Sequence, residues 1–67
     1  MWDYLFEVID EDSDLFGEMF FVECNNIAEA WQTVAENFGT AMIINDEIKC
    51  IGKYTPEEAE ILGYDTY

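Results

Sequence analysis

Sixteen Asp and Glu residues face only two cations, Lys49 and Lys53, with no Arg and no His, so the chain carries a formal charge of −14 at neutral pH. A body this acidic repels itself when compact, which costs stability while raising solubility and the rate of encounter with basic partners. Whatever fold it adopts must be held by apolar contacts. The residues for that are present: 51% of the chain is hydrophobic and 16% aromatic, too rich in core formers for an intrinsically disordered acidic tail. With 67 residues there is room for one core only, since a chain of this size buries only about 60% of its unfolded surface. A single acidic domain spanning residues 1–67 is expected.

The same charge narrows the ligand. A nucleic acid or an anionic membrane is excluded as a direct ligand, because every like-signed contact repels and no basic patch is available to release counterions. A charged partner must be basic. The opening residues Met1 to Asp10 have no basic n-region and no uninterrupted apolar run, and no stretch of eighteen apolar residues occurs, so a cytoplasmic protein is expected. Cys24 and Cys50 each sit in an apolar, strand-like run where cysteine behaves as a small buried hydrophobe, and reduced core thiols are expected.

Periodicity gives the elements. From Trp2 to Ile9, Trp2, Tyr4, Phe6 and Val8 alternate with Asp3, Leu5, Glu7 and Ile9, the period of a strand. Asp10-Glu11-Asp12-Ser13-Asp14 has no apolar residue and reads as an exposed loop; Gly17 adds a break before a second strand, Glu18 to Cys24, hairpinned to the first. This second strand is apolar on both faces, as a central or covered strand would be. Asn26, with Glu29 three residues on, starts a helix that Gly39 ends. Its Ile27, Ala30, Trp31, Val34, Ala35 and Phe38 form one stripe opposite Glu29, Gln32, Thr33 and Glu36.

Thr40 to Ile44 is apolar and β-prone, Asn45-Asp46 makes a two-residue turn, and Glu47 to Tyr54 resumes strand character, which predicts a second hairpin. Thr55-Pro56-Glu57-Glu58 then supplies an N-cap, a Pro at the first helical position and acids in the first turn of a short helix that stops at Gly63. The expected fold is α+β: a small antiparallel sheet in the order ββαββα, with the main amphipathic helix on one face and a short C-terminal helix.

Catalysis is poorly served. Without His, only carboxylates remain to activate Ser13, the Thr and Tyr hydroxyls or the two thiols, and paired carboxylates acting on a glycosidic bond need a cleft that a 7.8 kDa domain can hardly form. No enzyme and no cofactor are expected. Asp10, Asp12 and Asp14 begin like a calcium-binding EF-hand loop, but Leu15 stands where that loop needs Gly and Phe21 where it needs a bidentate Glu. No metal site is expected, and the segment reads as a solvated acidic turn.

What remains is the surface. Asp3, Glu7, Asp10, Glu11, Asp12, Asp14, Glu18 and Glu23 lie on the first hairpin, with Glu57, Glu58 and Glu60 on the last helix. Carboxylates at i and i+2 on a strand are about 6.6–7 Å apart, comparable to successive phosphates of a nucleic acid, although Leu5 and Ile9 interrupt the row that Asp3 and Glu7 would begin. Asp3, Glu7, Asp10, Glu11, Asp12, Asp14, Glu18, Glu57 and Glu58 are the candidate partner-binding residues. Eleven aromatic residues (Phe 5, Tyr 4, Trp 2) exceed what so small a core can absorb, so some are left for a protein contact or a homodimer face.

Small size, extreme acidity, absence of His and a tail such as Thr55-Pro56-Glu57-Glu58-Ala59-Glu60-Ile61-Leu62-Gly63-Tyr64-Asp65-Thr66-Tyr67 resemble the short accessory proteins of phages and mobile elements of Gram-positive bacteria. Among these the acidic ones resemble DNA-mimic anti-CRISPR proteins, a likeness of style over the whole chain that transfers no residue roles. It implies an inhibitor in the host cytoplasm. Such an inhibitor would occupy the basic groove of a nucleic-acid-binding protein such as a CRISPR effector nuclease, setting carboxylates against the Lys and Arg that hold phosphate. The competing expectation is a small interaction or homodimeric regulatory module without mimicry.

Overall fold

The computed structural model describes every residue from Met1 to Tyr67. Its elements are β1 (Trp2–Val8), β2 (Met19–Cys24), α1 (Ile27–Phe38), α2 (Thr40–Ile44), β3 (Ile48–Tyr54), α3 (Pro56–Leu62) and β4 (Asp65–Thr66). The sheet runs β3-β1-β2-β4, with β1 antiparallel to both β2 and β3 and β4 parallel to β2. The fold class is α+β, as the alternation and capping signals imply. β1 and β2 are the interior strands, in keeping with the apolar residues on both faces of β2.

The alternation read from β1 divides the core in two. Tyr4, Phe6 and Val8 point to one face with Phe20, Val22, Cys24 and Ile48, where Ala30 and Val34 of α1 close over them. Leu5 and Phe21 point to the other face and meet Ala59 of α3. Phe6, Phe21, Val8, Val22 and Val34 are fully enclosed, each burial worth about 1.5–3 kcal/mol. These apolar contacts oppose the self-repulsion of the charge. No helix is long and apolar enough to cross a membrane.

Both principal helix starts follow from side-chain capping. Asn26 Oδ1 accepts the Glu29 N–H at 2.9 Å, while Glu29 Oε1 accepts the Asn25 N–H at 3.2 Å. At α3 the box is complete: Thr55 Oγ1 accepts the Glu58 N–H at 3.3 Å and Glu58 Oε1 accepts the Thr55 N–H at 3.0 Å. Each satisfies donors that a helix N-terminus leaves orphaned.

Two expectations give way. Thr40–Ile44 is helical, not the first strand of a second hairpin. A five-residue apolar run does not distinguish strand from buried helix by periodicity, and here Met42 and Ile43 pack against the α1-side core. Asn45 and Asp46 accordingly end a helix. The Asp46 N–H donates to Ile43 O at 3.2 Å and the Glu47 N–H to Met42 O at 2.8 Å, with Asp46 in the left-handed region at φ 54°, the pairing of a Schellman motif. The tail also adds an element, since Asp65 and Thr66 pair with Phe20 and Phe21 and the Tyr67 N–H donates to Phe21 O at 2.8 Å. The sequence order is ββααβαβ, and its one parallel pair lies at the β4 edge.

β3 forms the opposite edge. Ile51 is the extra residue of a bulge, because Leu5 faces Gly52 while Phe6 faces Cys50. Both lysines of the chain lie on this strand: Lys49 Nζ is 3.9 Å from Glu7 Oε1, and Lys53 Nζ is 4.3 Å from the centroid of the Trp2 ring. A bulge and two cations blunt an open edge against further strand pairing.

Candidate functional site

The acidic segment between β1 and β2 is a chain of turns held by its own side chains. Asp10 Oδ1 accepts the Asp12 N–H at 3.0 Å and Ser13 Oγ accepts the Leu15 N–H at 3.1 Å. The loop closes where the Gly17 N–H reaches Val8 O at 3.0 Å, a geometry that needs the positive φ of Gly17, 85°. Asp10 is thus spent partly on the loop, whereas Glu11, Asp12 and Asp14 are exposed. No three Asp, Glu or Cys side chains converge closely enough to hold a metal ion.

The structure brings a second acidic segment to this loop. The Ile9 N–H donates to Glu47 O at 2.8 Å, and Asp10, Asn45, Asp46 and Glu47 line one open, wholly polar hollow. Carboxylates from segments more than thirty positions apart (10 to 46) therefore share one end of the molecule. Exposed Glu18 sits at the same end, at the start of β2.

The remaining candidates fall elsewhere. Asp3 is 3% exposed, pressed beneath the α3 side of the sheet and opposite Glu23. Burial, and then the Glu23 carboxylate, push its pKa up, and it is not available to a partner. Glu7 is half-buried and faces Lys49. With Leu5 buried between them against Ala59, Asp3 and Glu7 form no accessible phosphate-like row, because α3 covers that face. Glu57 and Glu58 are exposed but follow Tyr54, which pairs with Asp3, so they stand at the far end of the sheet. Glu58 is committed to its capping box.

Beside the acidic end lies a cleft of about 220 Å³ between the start of β2, the end of α1 and the β4 tail. Leu15, Met19, Phe20, Phe38 and Tyr67 line it with the carboxyl-bearing Glu18 and Asp65. Its rings form a cluster. Phe20 and Phe38 stack at 4.8 Å with an interplanar angle of 24°, and Tyr67 meets them edge-on at 5.1 and 5.3 Å. Phe20 is buried, whereas Tyr67 is half exposed.

The thiols lie apart from both features. Cys24 and Cys50 are free on strands that flank β1, opposite Trp2 and Phe6 respectively, so two strand spacings of about 9.6 Å across the sheet already exceed the roughly 7 Å between Cα atoms that a disulfide spans. Burial pushes both thiols up, so they remain protonated and unreactive at neutral pH.

Sequence reasoning identified the loop acids but missed Asp46, Glu47 and Asp65. Asp46 read as a turn residue and Glu47 as the start of a strand, and Asp65 belongs to a tail too short to show a period. Compared with protein-family models, with curated proteins and with solved structures, the chain matches none significantly.

Proposed function

We propose that this protein is a non-enzymatic ligand for the basic nucleic-acid groove of a DNA-processing protein, which it occupies as an acidic mimic. The observation that supports this reading best is the gathering of Asp10, Glu11, Asp12 and Asp14 with Asp46 and Glu47 at one end of the sheet. Lys53 stands toward the far end of β3, opposite Tyr4, and Lys49, the one lysine near the acidic end, is paired with Glu7, so the loop and turn carboxylates keep their charge. Carboxylates on a preformed surface offer groove Arg and Lys the charge they otherwise find on phosphate, and the field of the whole chain speeds the encounter. The mimicry rests on the loop and turn acids instead of on a strand row.

A CRISPR effector nuclease in a bacterial host cytoplasm is the specific target this reading favours, through the resemblance to acidic anti-CRISPR inhibitors. Two unpaired thiols, Cys24 buried and Cys50 partly so, suit that reducing setting. Tagged protein is used to capture partners from lysate of a bacterium carrying CRISPR and restriction systems, with and without competing duplex DNA. The expected result is a nucleic-acid-binding protein whose recovery falls with added DNA and with rising salt. Recovery only of a second copy of the chain, or of a protein that DNA does not displace, would replace mimicry with the interaction-module reading.

A further inference from the structure

We propose that the cleft between β2, the end of α1 and β4 receives one arginine side chain of the basic partner, an inference that rests on the reading of this protein as a ligand for a basic protein. Size is the first argument. At about 220 Å³ the cleft is smaller than the roughly 300–1,000 Å³ of pockets that enclose small-molecule ligands, and it suits a single side chain.

Chemistry is the second. Its apolar wall is built from Phe20, Phe38 and Tyr67, whose ring centroids lie within 5.3 Å of one another, and Leu15 adds to that wall. Glu18 and Asp65 add two carboxylates to the lining. The one ion pair of the chain lies elsewhere, between Lys49 and Glu7, so neither carboxylate has an internal counter-charge. Phe20 is stacked between Phe6 and Phe38, so the half-exposed Tyr67 ring is the one left to a guanidinium, whose plane stacks on a ring while its fork of N–H donors reaches carboxylate oxygens. A lysine ammonium offers the charge without the planar stacking surface, and a neutral side chain leaves the acids unanswered.

The third argument is position. The cleft adjoins the acidic loop through Leu15 and Glu18, so an arginine seated in it would hold the partner's basic surface against Glu11, Asp12 and Asp14. Loop acids supply encounter and orientation, and the seated side chain supplies the desolvated anchor that a field alone does not provide.

The test is an NMR titration of the isotope-labelled protein with N-acetyl-arginine methylamide at constant ionic strength. The lysine and norleucine analogues serve as probes of charge alone and of apolar bulk alone. Saturable shifts confined to Glu18, Phe20, Phe38, Asp65 and Tyr67 are expected, with the arginine probe bound more tightly than lysine and norleucine not bound. Glu18→Gln and Asp65→Asn are isosteric changes at exposed side chains. Each should weaken the arginine probe about threefold, the size of one exposed charge pair, and together they should abolish saturation. Shifts spread over every acidic segment, equal responses to arginine and norleucine, or a double variant that binds like the parent would overturn the proposal. Such a failure would leave DNA-displaceable capture of a basic target intact, whereas loss of that capture with a working cleft would implicate the broader reading.

Discussion

Asp3 shows how far one carboxylate's role depends on what covers it. In the sequence it belongs to the alternating polar face of β1. In the molecule it lies on a face that α3 closes, 3% exposed and opposite Glu23. Its pKa is raised from the model-compound value of 3.8, first by burial and then by Glu23. A carboxyl whose folded pKa exceeds its unfolded one binds more protons in the native state, so stability falls as pH rises from 3.8 through the folded pKa and stays reduced at neutral pH. Asp3→Asn should therefore stabilise the protein at pH 7 by about 0.2–1 kcal/mol, the range for one cross-strand pair. For a domain of this size that is a rise of roughly 1–8 °C in Tm. The gain should shrink toward zero as melts are repeated down to pH 3.8, and an unchanged or lowered Tm at pH 7 would show that the buried carboxylate is compensated.

At the scale of elements, the parts legible in the sequence are those with a local cause. β1 carries a clean period of two. α1 and α3 announce themselves through Asn26 and Glu29 and through Thr55, Pro56 and Glu58, and the observed caps use those side chains. α2 and β4 have no such signal. Five apolar residues became a helix because Met42 and Ile43 could reach the core that way, and two tail residues became a strand because the far side of β2 was open. The acidic end was half legible for the same reason: Asp10 to Asp14 announce a loop, but their meeting with Asp46 and Glu47 is a tertiary event. The turn after α2 also carries a cost. Asp46 holds φ 54° at the Schellman position that glycine favours, and its carboxylate stands at a helix C-terminus, where negative charge is disfavoured. Asp46→Gly should raise stability in urea unfolding by about 0.5–1 kcal/mol, part of the left-handed penalty for a residue with Cβ. A loss of stability would mean that the Asp46 side chain holds the turn.

For the whole molecule, the governing quantity is −14 spread over a body of 32 × 21 × 16 Å. At 20 mM salt the Debye length is about 20 Å and the charges repel across the entire domain; at 300 mM it is about 6 Å and only neighbours interact. Added NaCl should therefore raise Tm over that range, and a falling Tm would mean that attraction, not repulsion, dominates the native charge pattern. The placement of the two cations has a practical consequence as well. Both lysine amines stand on β3, at one edge of the sheet, while the aromatic cleft opens at β4, on the other. Amine-directed coupling to a sensor chip or a fluorophore will therefore attach away from the cleft, on β3 or at the Met1 α-amine that precedes Trp2 opposite Cys24. An immobilised layer would present the cleft outward, and no cysteine handle is needed to orient it.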